Sequence, residues 1–270
     1  MEKFYFSEDD NIVLDKNWKV IENYKKHPYM LFYSLTNVFP MIKYEEELGH
    51  INDYIYHNNK NFNKILEEMN NKVDEAKNAS PRGEYYGENI MFREADQATW
   101  EWLVEKVNKC SNIVLFLSFL EGALKEIYDW FSEEKNYKGC NKKREMSDIQ
   151  YYIEEIGKCC NYDLYNNLEE ELETIVTAKR IRNIFVHEWD AYYNKKSNII
   201  LDKELNNFKI IKLIDSISKI LYLCEYAGLK GNILKKEDND IRRCFTMERI
   251  ERIKNEFECP KIMNIIDDYI

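Results

Sequence analysis

Arg182-Asn183-Ile184-Phe185-Val186-His187 closes a run in which Leu168, Leu172, Ile175, Ala178, Arg182, Val186 and Trp189 recur at spacings of three and four. That spacing predicts an amphipathic helix with these residues on its buried face. Arg182 then falls on the apolar face. A guanidinium stays charged in proteins and seldom enters a core without an anionic partner or a ligand to meet it. The chain has four histidines, and one of them ends this stretch.

Working outward, a longer helix is expected over Gln97 to Glu133. Leu103, Val107, Cys110, Val114, Leu117, Leu124, Tyr128 and Phe131 step by three and four, with Glu121 filling the one gap. A carboxylate in an apolar seam is costly unless paired, which makes Glu121 the expected partner of Arg182. After a basic loop, Lys138 to Arg144, Ser147 and Gln150 form a capping box for a second helix, with Ile149, Ile153 and Ile156 inward. The third helix, Leu164 to about His187, carries the opening stretch. An exposed turn with a short extended piece follows at Asn194 to Asp202. The fourth helix spans Glu204 to Tyr226, with Ile210, Ile214, Ile217, Leu221 and Cys224 inward, and stops near Gly228 and Gly231. Four helices with short connections predict an antiparallel bundle.

The flanks are also expected to be mostly helical. Tyr29 to Ile42 and Glu45 to Tyr56 read as short helices, Asn61 to Lys77 as a charged one, and Thr246 to Phe257 as a helix in a tail that Pro260 interrupts. The breaker run from Asn78 to Gly83 is the best candidate boundary. The division expected is an N-terminal extension over 1–92, a bundle over 93–231 and a C-terminal tail over 232–270.

With 8 Gly and 4 Pro in 270 residues, an all-β or loop-rich chain is disfavoured, and 44% hydrophobic against 33% charged residues fits a globular, all-α protein. A net charge of −10 argues against non-specific coating of nucleic acid, though a local basic cleft on an acidic body is compatible with it. Seven cysteines form no C-x-x-C pair, so their spacing supports no zinc site, and free thiols in a reducing cytoplasm are expected. The first ten residues carry acids and no apolar signal core, and the longest apolar run, Ile113 to Leu117, is too short to cross a membrane.

An R-N-x-x-x-H motif late in the third of four helices resembles the HEPN superfamily. The runs Phe119-Leu120-Glu121-Gly122-Ala123-Leu124 and Ala178-Lys179-Arg180-Ile181-Arg182-Asn183 add context. The resemblance covers roughly residues 96 to 230. It implies a HEPN-like four-helix bundle and a metal-independent endoribonuclease without a cofactor, working as a homodimer in a defence or toxin role. An antitoxin or regulatory partner would accompany it. Catalytic roles pass to Arg182, Asn183 and His187 alone.

The chemistry of those residue types suits RNA. The 2′-hydroxyl is a built-in nucleophile, an imidazole transfers a proton near neutral pH, and a guanidinium meets charge building on the phosphate oxygens. Glu121 would support Arg182 from behind. Lys179 and Arg180, with Lys142, Lys143 and Arg144 and the pair Lys195-Lys196, are candidates to line an RNA cleft, although charge runs also serve as plain solvated faces. On an ideal α-helix, positions five apart differ by about 140° and about 7.5 Å along the axis, so Arg182 and His187 do not project side by side. A kinked helix end or a second copy across a two-fold axis would resolve that mismatch. Other readings stay open. Arg182 and Glu121 form a structural ion pair, His187 faces a helix C-terminus, and the chain is a binding module or a helical interaction protein. His27, His50 and His57 have no partner spacing and are read as ordinary residues.

Overall fold

The computed structural model describes residues 30–36, 38–78, 86–188 and 195–234, positions 247, 250, 251 and 253–255, and residues 259–269. Every regular element among them is helical. The helices are α1 (Met41–Asn78), α2 (Tyr86–Trp102), α3 (Lys109–Lys135), α4 (Asp148–Cys160), α5 (Glu169–Asn183), α6 (Lys195–Asn207), α7 (Ile210–Lys230) and α8 (Pro260–Tyr269). The all-α expectation therefore holds for the described residues.

Helices α3 and α7 are central, and each packs against the other and against α4 and α5. Phe116, Leu117, Leu120, Leu124, Ile127 and Phe131 of α3 are fully buried there, with Ile153 and Ile156 of α4 and Ile175, Ala178 and Ile181 of α5. The α4 start is as the sequence reads. The Ser147 hydroxyl accepts from the Gln150 backbone N–H at 3.3 Å, and the Gln150 side chain accepts from the Ser147 N–H at 3.4 Å. Helices α3 and α4 end on Asn136 and Asn161, both left-handed with φ of 50° and 54°. Asparagine tolerates that region better than other side chains do, and here it takes the place glycine usually holds.

Several expectations are corrected. The seam of α3 runs through Leu120 and Leu124, leaving Glu121 at its edge with 29% of its side chain exposed. The α5 stripe likewise passes through Ala178, Ile181 and Ile184, so Arg182 borders the core and Val186 is 54% exposed. Trp189 lies outside the described residues. Of the predicted turn at 194–202, residues 195–202 belong to α6, which Phe208 and Lys209 separate from α7, so the fourth helix starts at Ile210. Phe208 turns into the core at that break. The two N-terminal helices expected over 45–77 are one helix, α1, and position 92 lies inside α2, which continues through a π-helical segment, Leu103–Asn108, into α3. Pro260 opens α8 instead of interrupting a helix, in keeping with proline's fit to a first helical position.

Residues 30–36 are not part of the short helix expected over Tyr29 to Ile42. They form an irregular strap along α7, with Met30, Phe32 and Leu35 buried. Side chains take the place of helical carbonyls as acceptors. Asp215 accepts from Met30 N–H at 2.8 Å, Tyr222 Oη from Tyr33 N–H at 3.0 Å, and Glu225 from Leu35 and Thr36 N–H at 3.0 and 2.8 Å and from Ser34 Oγ at 2.8 Å. Helix α7 is consequently buried well beyond the single stripe read from sequence.

Candidate functional site

The opening stretch ends α5 in a π-helical turn, Ile184–Glu188. A π turn closes over i→i+5, one residue more than an α turn. It therefore reduces the angular offset between positions five apart. Arg182 is placed just before this turn and His187 within it, exposed to solvent. No hydrogen bond joins the two among the described residues.

Arg182 is held from two sides. Its Nη1 donates to Glu121 Oε1 at 3.4 Å, across from α5 to α3, and its Nε and Nη2 both donate to Asn183 Oδ1 at 3.2 Å. A quarter of the side chain remains exposed. The structure thus brings Glu121, Arg182 and Asn183 together. The fork keeps donor capacity for a ligand, since a guanidinium carries five N–H groups.

Lys179 lies one turn earlier on the same face as Arg182 and Asn183, at i, i+3 and i+4. Burial pulls its ammonium below the usual lysine range; Glu121 opposes that shift, and the like charge of Arg182 adds to it. Lys179, Arg180 and Asn183 line a groove of about 490 Å³ with Ser147 and Gln150 at the start of α4 and Ile200 of α6. Arg180 is drawn to one wall by Glu204 at 3.2 Å.

The basic loop before α4 is pinned rather than loose. Buried Glu155 accepts from Cys140 N–H at 2.8 Å and Tyr137 Oη at 3.1 Å, and Tyr151 Oη donates to the Cys140 carbonyl at 2.9 Å. Gly139 is needed there, because a Cβ would lie 2.0 Å from the Tyr128 hydroxyl. Lys142 pairs with Asp148, and its charge reaches Lys179. Lys143 and Arg144 are exposed and belong to a neighbouring groove away from Arg182. Lys195 and Lys196 open α6, with side chains outside the described set.

Sequence reasoning took Ser147 and Gln150 for a helix cap only and did not see them as groove residues; a cap carries no signal of what faces it. Among the described residues no three His, Cys, Asp or Glu side chains cluster as metal ligands, Cys110, Cys140, Cys159, Cys160, Cys224 and Cys259 are free thiols, and no helix is long and apolar enough to cross a membrane. No protein-family model matches the chain, and no curated protein or solved structure is significantly similar to it.

Proposed function

We infer that the chain is a HEPN-type, metal-independent endoribonuclease, acting as a homodimer in the cytoplasm in a defence or toxin role. The observation that carries this reading is a half-buried Arg182 with free donors, flanked by Asn183 and Lys179, on a helix that continues into a π turn bearing exposed His187. Single π turns inside α-helices recur at functional sites.

In the proposed reaction the 2′-oxygen attacks phosphorus and the bond from phosphorus to the 5′-oxygen breaks. His187 takes the 2′-hydroxyl proton or delivers one to the departing 5′-oxygen. Arg182 meets the charge on the non-bridging oxygens, steadied by Glu121. Products are a 2′,3′-cyclic phosphate and a 5′-hydroxyl. Two-fold pairing would bring a second His187 to the cleft, so that one copy serves as acid and the other as base. An antitoxin or regulatory partner would restrain such an enzyme.

The ion pair of Arg182 with Glu121 favours a second reading, a non-catalytic module that binds RNA or protein through the same groove. Incubation of purified protein with a mixed RNA pool, with and without EDTA, separates the two. Cleavage that survives chelation and vanishes in His187→Ala supports the enzyme. An intact pool, or a His187→Ala variant as fast as the wild type, leaves the binding module.

A further inference from the structure

Next to the Lys179–Asn183 groove lies a second one of about 560 Å³, lined by Lys143, Arg144, Glu145, Gln150, Glu154 and Tyr165. Gln150 lines both grooves, so the surface is continuous from Asn183 to Tyr165. The groups in the second groove differ in chemistry. Lys143 and Arg144 are exposed cations in a chain of net charge −10, and their side chains form no ion pair among the described residues. Tyr165, in the connection between α4 and α5, is 38% exposed. Glu145 is exposed, and the ion pair that Glu154 makes among the described residues is a long one, to Lys158 at 3.8 Å.

We propose that this second groove is a subsite for one unpaired, amine-bearing nucleotide of a single RNA strand that continues into the adjoining groove along Lys179 and Asn183. The proposal rests on the RNA reading above. Cations take the flanking phosphate, the tyrosine ring offers a stacking face, and the carboxylates accept hydrogen bonds from a base edge. Carboxylates repel phosphate, which orients the nucleotide with its phosphate at Lys143 and Arg144 and its base at Tyr165 and Glu154. They also disfavour uracil, whose edge has two carbonyls around a single N–H, relative to cytosine with its exocyclic amine. A base-paired strand has its edge occupied and is excluded.

The test is fluorescence anisotropy with the full chain and labelled, cleavage-resistant 2′-fluoro ten-mers of cytidine or uridine, a hairpin duplex and free CMP as competitor. Circular dichroism verifies folding of each variant. Tyr165→Ala is expected to weaken the oligocytidine complex by about 5- to 150-fold, the range that loss of one stacked base produces. Lys143→Ala with Arg144→Ala should flatten the salt dependence by roughly 0.7 in slope for each phosphate that is no longer neutralised. Lys138→Ala, an exposed loop cation outside the groove, should do neither. Oligouridine should bind more weakly, a preference that Glu145→Ala with Glu154→Ala erases. Tyr165→Ala binding like wild type, equal affinity for both oligomers, tight duplex binding, CMP competing as well as the oligomer, or no binding by the wild type would each overturn the subsite. Tyr165-dependent binding without RNA cleavage sinks the enzyme reading alone, whereas cleavage with unaffected variants sinks the subsite alone.

Discussion

Arg182 is positioned by two acceptors of different kinds, the Glu121 carboxylate on α3 and the Asn183 amide beside it on α5. Removing either reacting group should cost about 10²- to 10⁴-fold in cleavage rate, so Arg182→Ala and His187→Ala are both expected to lose that much while staying folded by circular dichroism. Asn183→Ala should lose less, because it orients the guanidinium without supplying charge. Lys179 supplies a pH signature. Its pKa is lowered by burial, so its positive charge is lost at lower pH than an ordinary lysine's, and RNA affinity should fall on the alkaline side. Lys179→Arg keeps its charge over the whole range, and a titration of RNA binding against pH should show the alkaline fall removed. The proximity of Glu121 and Arg182 was legible because both interrupt apolar patterns. Their depth was not, since a stripe counted by spacing does not say where it drifts off the core: Leu120 and Ile181 are fully buried, and the charged neighbours lie at the rim.

At the scale of elements, the cap of α4 was readable from a serine and a glutamine three positions apart, and it governs both the helix start and the shared wall of the two grooves. Ser147→Ala is expected to lower stability by about 0.5–2 kcal/mol in urea unfolding, since it strips an acceptor from the first turn. The end of α7 is tighter. A Cβ on Gly228 would meet Phe131 Cζ at 2.6 Å and Leu234 Cδ1 at 2.8 Å, against two packed side chains. Gly228→Ala should therefore destabilise by about 1–3 kcal/mol, visible as a lower urea midpoint with an unchanged slope. The π turns at Leu103–Asn108 and Ile184–Glu188 had no counterpart in the periodicity. One extra residue displaces a stripe by about 100°, but a stripe counted at mixed spacings of three and four absorbs that step without showing it.

Across the whole molecule, the strap at 30–36 ties the N-terminal side of the chain to α7 through Asp215, Tyr222 and Glu225. Burial raises the Glu225 carboxyl above its ordinary range, while bonds from Leu35, Thr36 and Ser34 pull it back down. Glu225→Leu should destabilise the protein, because the Thr36 N–H and hydroxyl lose their Glu225 acceptor in a dry site, at about 1–3 kcal/mol for each buried group left unsatisfied. Amide exchange at Leu35 and Thr36 should quicken in that variant. Assembly is a prediction at the same scale: light scattering should show a dimer at micromolar concentration, and a monomer that still cleaves RNA would remove the paired-histidine scheme. The sequence alone determined the helical class, the α4 cap, the positions of most inner faces and the residues fit for phosphate chemistry, because each depends on spacings of three to five along one chain. Only the tertiary structure decided that residues 30–36 would become a strap, that α7 would be buried beyond one stripe, and that Gln150 would join two grooves. The strap's bonds to α7 link residues 185 to 191 positions apart, and pairings at such separations leave no periodic trace in the residues that make them.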